Sequence, residues 1–277
     1  MRTRKNVWGA ILKYLFLTLM LLIMFYPVFM TLINSFKSEK ELYSNTLGIP
    51  TIWMFKNYVD AIVDGHLIRA LWNSILISGG TVVITTILGS FGAFALTRLV
   101  GKVQSILYWV FVVGIMIPYQ VGLSQLYNIV RDLGLMDTIL GLILVFTAWF
   151  LPFTIFVMYG SFSTIPKEIE DAAKIDGCST LGLYSRITIP LSVSVITATV
   201  IYNLVNVWND MMFPMIFLDS KGLKPLGTAL LAFQGQFVSR YTVMFAGVVL
   251  TSIPVVIVYI ALQKKFVEGM MVGSVKG

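Results

Sequence analysis

Residues 138–162 read TILGLILVFTAWFLPFTIFVMYGSF, a run without a single Asp, Glu, Lys or Arg. A helix needs about 20 apolar residues to cross the roughly 30 Å hydrocarbon core of a bilayer, so this run is long enough to span one. The whole chain of 277 residues shares its character, because 57% is hydrophobic and 12% is charged, against about 25% charged in soluble proteins. The sequence therefore predicts an all-α integral membrane protein.

Charge-free runs mark the predicted spans, because a charged residue at a helix centre costs about 2.5–3.5 kcal/mol on insertion scales. The first run follows basic residues, but it is longer than the apolar core of a signal peptide and no small-x-small cleavage site follows it, so we interpret it as a span. We predict six transmembrane helices in a single domain, residues 1–277, with a loop at 163–186. The spans are 14–36, 70–97, 103–130, 138–162, 187–209 and 241–263.

The distribution of basic residues predicts the orientation. With both termini in the cytoplasm, 12 Lys and Arg with 5 Asp and Glu lie inside, and 8 of each class lie outside. The entire net charge of +7 is then on the inner side, as the positive-inside rule requires. We therefore expect a multi-pass protein of a bacterial or archaeal plasma membrane, with cytoplasmic amino and carboxyl termini.

Several kinds of catalytic chemistry are excluded or disfavoured. The single Cys178 cannot form an intrachain disulfide, and with the lone His66 it cannot build a zinc cluster. The pair Gly101-Lys102 lacks the glycine and the Ser or Thr of a phosphate-binding loop, and no Gly-x-Ser-x-Gly elbow is present. The charge-free spans disfavour an ion-driven carrier. We expect no catalysis by this chain and no metal or cofactor bound to it.

The segment after the fourth predicted span, STIPKEIEDAAKIDG at 163–177, has the pattern of a short amphipathic helix. Pro166 suits the first helical position, and Gly177 suits a left-handed residue at the other end. An apolar face recurs at spacings of three and four residues, at Ile165, Ile169, Ala172 and Ala173. Ser179 is placed to cap a second short helix. Such an elbow suits docking into a groove of another protein, or, alternatively, is an ordinary loop resting on lipid headgroups.

This segment resembles the EAA loop of ATP-binding-cassette (ABC) importer permeases. That pattern is Glu-Ala-Ala, three residues, Gly, nine residues, Ile, one residue and Leu-Pro, and here Asp171-Ala172-Ala173, Gly177, Ile187 and Ile189-Pro190 have the same spacing. Asp replaces Glu, and Ile replaces Leu. The resemblance implies contact with a partner ATPase through Ile165, Glu168, Ile169, Asp171, Ala172, Ala173, Asp176, Gly177 and Pro190.

Along nearly the whole chain, the sequence is similar to the shorter, six-span permease of carbohydrate importers of the maltose type. The matching positions are Asn57-Tyr58, Asn73-Ser74, Ile117-Pro118, Leu133-Gly134-Leu135, Leu151-Pro152-Phe153, Trp208-Asn209-Asp210, Gln263 and the tail Gly269–Gly277. The resemblance implies the type I ABC importer permease fold and import of a sugar or oligosaccharide. It also implies a second permease subunit, two ATPase subunits that bind ATP and Mg²⁺, and an extracellular or periplasmic binding protein. Alternatives are a permease for glycerol phosphodiesters or other polar solutes and, from another class, an ion-driven carrier.

Two further groups of residues carry weaker predictions. Asn203, Asn206 and Asp210 share a face of the fifth predicted span, where they line a sugar pathway or form hydrogen bonds between helices. In the tail, Gly269, Gly273 and Lys276 are predicted to contact the ATPase, because the tail of related permeases reaches it.

Overall fold

The structure, a computed structural model, describes residues 7–234 and 240–274. Within those ranges the regular structure is entirely helical, which suits a bilayer because a helix satisfies its own backbone hydrogen bonds. The helices are α1 (Val7–Asn34), α2 (Glu39–Ser44), α3 (Lys56–Asp64), α4 (Leu67–Arg98), α5 (Gly101–Met116), α6 (Tyr119–Asp132), α7 (Ile139–Phe162), α8 (Lys167–Ile175), α9 (Thr180–Leu183), α10 (Ile189–Leu191), α11 (Val193–Asn209), α12 (Met212–Phe217), α13 (Leu226–Ala229) and α14 (Tyr241–Ser274).

Four of the described helices are long and apolar enough to cross a membrane, namely α1, α4, α7 and α14. The two other predicted spans are each broken. Helices α5 and α6 meet at 100°, and the segment Thr180–Leu191 meets α11 at 77°. Counting each bent pair as one span gives the six that the sequence predicts. An unbroken helix over 103–130 is nevertheless wrong, and so is one over 187–209.

Local chemistry explains the first break. Helix α5 ends at Ile117, whose ψ of 119° is extended, and Pro118 is the N-cap of α6. A proline disfavours the helical conformation at the residue before it and has no N–H to donate, so a break is favoured here. The second break falls at Ser192, where φ is −109° and ψ is 12°.

The described residues form two compact units, and the larger one is drawn from Ile68–Ala229 and from Pro254 onward. Its main apolar core joins α7 to α4, α6, α11 and α12 through Ile77, Val130, Leu142, Val145, Phe146, Phe150, Val207, Phe213, Phe217 and Leu218. Helices α4 and α7 approach closely, because a Cβ atom at Gly89 would lie 2.4 Å from Cγ2 of Thr154. The small residue at this position therefore permits the contact.

The smaller unit is drawn from the described residues up to Leu67 and from Leu230–Ile253. Polar contacts hold its loop after α1. Lys37 is fully buried, and its ammonium group donates to the carbonyl oxygens of Asn45 at 2.6 Å and Thr46 at 3.1 Å. The amide of Asn57 donates to the carbonyls of Ser35 and Lys37, both at 2.8 Å. These bonds pair the buried ammonium group of Lys37 and the carbonyl oxygens of the buried residues Ser35 and Lys37.

Candidate functional site

Residues 163–186, which we call the elbow, connect α7 to the helices that lead into α11. Helix α8 begins at Lys167, and Pro166 is its N-cap. The sequence predicts Pro166 as the first helical residue, so the two differ by one position, which is within the usual uncertainty of helix ends. Glu168 and Glu170 lie in the first turn and Lys174 in the last, so both ends complement the helix dipole. The predicted amphipathic helix is therefore present.

The turn after α8 depends on a glycine in the left-handed region. Gly177 has φ of +79°, and its N–H donates to the carbonyl of Lys174 at 3.0 Å. The N–H of Cys178 donates to the carbonyl of Ala173 at 2.9 Å. Ser179 then caps α9, accepting a hydrogen bond from the N–H of Gly182 at 3.2 Å. Gly177 thus ends α8 as the sequence predicts, because a residue without Cβ adopts this conformation at no steric cost.

One side of the elbow packs onto the larger unit. Ala173 and Cys178 contact an apolar cluster formed by Ala93, Phe94, Met158, Phe162 and Leu183. Ile165 is half-buried, and Glu170 is 9% exposed. The carboxylate of Glu170 accepts hydrogen bonds from both Nη atoms of Arg98 at the end of α4, with 2.8 Å between Nη2 and Oε1. The elbow is therefore fixed to the body of the unit rather than free in solvent.

The other side of the elbow is exposed and mixes apolar and acidic groups. Ile169 is 42% exposed, Ile175 is 86% exposed and Leu181 is 64% exposed. Around them lie four exposed residues of the predicted contact set, namely Glu168, Asp171, Ala172 and Asp176. Exposed large apolar side chains together with exposed acids are typical of a protein docking surface. We call Ile169, Ile175 and Leu181 with these four residues the docking face.

One acid of the docking face, Asp171, is stabilised in its ionised form. The pKa of Asp171 lies below its usual value because the ammonium group of Lys174 donates a hydrogen bond to the carboxylate and adds a favourable charge. The Nζ–Oδ1 distance is 2.9 Å, and both side chains are more than half exposed. An exposed ion pair of this kind contributes little to stability, so its consequence is a fixed negative charge at this position.

The family model for the inner membrane component of binding-protein-dependent transport systems matches residues 86–272. That match covers most of the chain, including α7, the elbow and α11. The chain belongs to this family. The elbow, with its left-handed Gly177 and its docking face, lies within the residues that match this family of transport components.

Individual relatives agree along almost the full length. The probable ABC transporter permease protein YurM of Bacillus subtilis (strain 168) is 32% identical over 99% of this chain and 91% of its own. The melibiose/raffinose/stachyose import permease protein MelC of the same organism is 32% identical over 91% of this chain and 92% of its own. The crystal structure of a bacterial ABC transporter involved in import of the acidic polysaccharide alginate has a similar fold, with a TM-score of 0.83 and 24% identity. The match covers 96% of this chain and 99% of the transporter chain. The chain has the ABC importer permease fold.

Three residues that the sequence analysis did not single out connect this family member's elbow to its spanning helices. They are Arg98, which binds Glu170, Glu170 itself, and Tyr184, whose hydroxyl lies 2.7 Å from Oγ of Ser90 on α4. Tyr184 begins a π-helical turn, Tyr184–Thr188, before the exposed Pro190 in α10. The available sequence signals were an acid at the fourth position of α8 and an arginine at the end of a predicted span.

The structure separates the three predicted pathway residues. Asn203 is fully buried, and its Nδ2 donates to Oγ1 of Thr154 on α7 at 2.9 Å, which is the interhelical bond of the alternative interpretation. Asn206 is exposed, and its amide donates to the carbonyl of Tyr202. Asp210 accepts a hydrogen bond from the N–H of Phe213, in the first turn of α12, at 2.9 Å. The pathway role of these residues stays a prediction.

A cavity of about 460 Å³ lies in the larger unit between α4, α11 and the end of α14 that belongs to it. Its lining includes Leu71, Ile75, Leu204, Trp208 and Val258 and offers almost no polar surface. Sugar hydroxyls need hydrogen-bond partners when they leave water, so this cavity does not have the chemistry of a sugar site.

The predicted ATPase contact at the tail falls partly beyond the described structure. Helix α14 continues past the predicted end of the sixth span, through Gly269 and Gly273, to Ser274. Lys276 lies outside the described residues. The contact itself stays a prediction.

Proposed function

We propose that this chain is the transmembrane permease subunit of an ABC importer that moves a sugar or oligosaccharide into the cell. The observation that carries the proposal is the docking face, an exposed apolar and acidic surface at the EAA position of a family member. The sugar class rests on the relative that imports melibiose, raffinose and stachyose and on the resemblance to maltose-type permeases. We infer that ATP is hydrolysed by a partner subunit, which also binds Mg²⁺, and that this chain is not an enzyme.

The complete importer in this proposal contains a second, homologous permease, two ATPase subunits and an extracellular or periplasmic binding protein. The docking face is where one ATPase subunit binds. Ile169, Ile175 and Leu181 would lose water on docking, and each fully buried side chain of this size contributes roughly 1.5–3 kcal/mol. The fixed charge of Asp171 and the exposed Glu168 and Asp176 favour a basic rim on the ATPase groove.

Orientation follows from the same assignment. An ATPase uses cytoplasmic ATP, so the elbow lies on the cytoplasmic side, and both termini lie there too if each bent helix pair is one span. Closure of the two ATPase subunits on ATP then pulls the elbow, and the spanning helices alternate between outward-facing and inward-facing arrangements. Asn206 and Asp210 are our candidates for contact with the solute, because amide and carboxylate groups hydrogen-bond sugar hydroxyls.

Uptake by the reconstituted complex tests the proposal. The chain is purified with its partner subunits, placed in liposomes and supplied with binding protein and internal ATP. Radiolabelled melibiose, raffinose and stachyose are compared with glycerophosphocholine. We expect ATP-dependent, vanadate-sensitive uptake of a sugar. Uptake of glycerophosphocholine alone would show that the substrates are glycerol phosphodiesters rather than sugars. Uptake driven by an ion gradient without the ATPase would refute the assignment as an ABC importer.

A further inference from the structure

The ion pair between Arg98 and Glu170 is the least exposed of those formed between described residues. Exposed fractions are 29% for the Arg98 side chain and 11% for that of Glu170, while the other described pairs have at least one partner that is 41% exposed or more. Both Nη atoms of the guanidinium bind the carboxylate, which fixes the relative direction of the two groups as well as their distance.

Glu170 differs from the other acids of the elbow in where it lies. The acids Glu168, Asp171 and Asp176 are exposed and belong to the docking face, whereas Glu170 is buried and turned to the opposite side of α8. Helix α8 therefore presents one acid row to solvent and a single acid to the protein interior. A buried charge is tolerated only when it is paired, so Arg98 is the partner that allows Glu170 to be there.

Arg98 is itself held in place by the end of α4. Its guanidinium carbon lies 4.4 Å above the centroid of the Phe94 ring, a cation–π geometry. Phe94 is 7% exposed and packs edge-on against Tyr184, with 5.3 Å between the ring centroids. The ring of Phe91 stacks on Tyr184 at 4.5 Å. The last two turns of α4 thus hold the elbow at two points, one on each side of the Gly177 turn.

The opposite end of α4 holds a second loop. The amide of Asn73 donates to the carbonyl oxygens of Gly222 at 2.9 Å and Lys224 at 3.2 Å. The hydroxyl of Ser74 accepts from the N–H of Leu226 at 2.9 Å. Helix α4 has 32 residues, which corresponds to about 48 Å at 1.5 Å per residue. One continuous helix therefore connects the elbow to the loop 218–226 near the other end of the same unit.

We propose that Arg98 is a positioning residue that ties the docking helix α8 to α4, so that displacement of the elbow by the ATPase is transmitted to the spanning helix. This inference rests on the proposed function. The two-point hold matters because α8 is only nine residues long and is followed by Gly177, a residue whose backbone is less restricted than that of any other. Without the ion pair between Arg98 and Glu170, α8 can follow the ATPase by rotating about Gly177, and α4 does not move with it.

The planar fork of arginine is the part that lysine does not reproduce. An ammonium group is a point charge on a flexible stem and makes no bidentate contact with a carboxylate. Arg98→Lys therefore keeps the charge but loosens the direction of the link, while Arg98→Ala removes the link and leaves Glu170 buried without its partner. Exchange of the two residues, Arg98→Glu with Glu170→Arg, restores a pair of opposite charges between the same two positions.

The test compares sugar uptake and ATP hydrolysis in the reconstituted complex, using whichever of melibiose, raffinose or stachyose the wild type imports. We expect Arg98→Ala to lower sugar molecules imported per ATP hydrolysed by at least about fivefold, the lower end of typical coupling between sites. Arg98→Lys should give an intermediate value, and the exchanged pair should recover part of the loss. Arg131→Ala is the matched control, since it removes an exposed arginine that lies in the last turn of α6 and pairs with Asp132.

The outcomes separate this inference from the proposed function. If the wild-type complex imports none of the sugars with ATP, the proposed function fails. If the wild type imports sugar and Arg98→Ala imports with the same ratio to ATP, the positioning role fails. A loss of uptake that merely parallels loss of assembled complex in Arg98→Ala and Arg98→Lys, without recovery in the exchanged pair, also overturns it, because the pair would then only stabilise the fold.

Discussion

Replacement of Gly177 by valine isolates the conformation of the elbow turn from its packing. The residue has φ of +79°, and a Cβ atom there would find no neighbour within 4 Å, so the added Cβ meets open space. The cost is therefore confined to the backbone, roughly 1–2 kcal/mol for a left-handed L-residue, and a β-branched side chain lies at the upper end. If the turn relaxes to avoid this strain, the equilibrium ratio of native to relaxed elbows falls roughly 5- to 30-fold.

The expected result is a loss of sugar uptake in proteoliposomes, with ATP hydrolysis maintained. Asparagine tolerates the left-handed region better than other residues with a side chain, so Gly177→Asn should lose less than Gly177→Ala, and Gly177→Val should lose most. Gly134→Val is the matched control. Gly134 also follows a helix end, has φ of +67° and has open space around its missing Cβ, but it lies after α6, away from the elbow.

Three results would refute this reasoning. Normal transport by Gly177→Val would show that the turn does not direct the docking face. Equal losses in Gly177→Val and Gly134→Val would show that general destabilisation is responsible. A larger loss of transport in Gly177→Asn than in Gly177→Ala would show that the backbone conformation at this residue is not the cause.

Three other predictions address topology, the fifth span and an outer loop. Cysteines at Lys56 and Asp219, in a background without the native cysteine, should react with an impermeant thiol reagent from outside; labelling only after permeabilisation would reverse the orientation. Asn203→Leu should lower the melting temperature of the complex by removing the bond to α7, whereas Asn206→Leu should assemble normally and transport less, and unchanged uptake would remove Asn206 from the pathway. The carboxylate of Asp137 accepts a hydrogen bond from the hydroxyl of Ser220. This bond is the main reason that the pKa of Asp137 is lowered below 3.8. The stabilisation is thus present at neutral pH and disappears as the pH falls through that lowered pKa, so the melting temperature of Asp137→Asn should lie below the wild type at pH 7 and converge with it in acid; a pH-independent difference would contradict this.

The sequence by itself determined the class of fold and most helix positions. Charge-free runs locate spans because the cost of a charge in hydrocarbon is large compared with any local preference, and all six runs contain long helix in the structure. The elbow was also readable, because a proline, a capping serine and a glycine each act on the backbone within one or two residues. The φ of +79° at Gly177 is a local property, and so local sequence predicts it.

The breaks within two spans needed the tertiary structure. Ile117-Pro118 was visible as a motif, yet Pro152 lies inside the unbroken α7, so a proline alone does not decide between a tolerated helix and a 100° bend. Neighbouring helices decide, because they either satisfy the freed backbone groups or do not. Charge counting cannot detect such a bend, since both sides of it remain apolar.

The direction of each side chain across the elbow was likewise decided only by packing. Periodicity placed Ile169 and Ala173 on one apolar face, but Ala173 packs in the cluster with Phe94 and Ile169 is 42% exposed. Glu170 lies in the first turn of α8 with Glu168, yet it is buried because Arg98, 72 positions earlier, ends α4 beside it. A contact over that separation depends on how α4 and α7 pack, and no pattern within either segment records it.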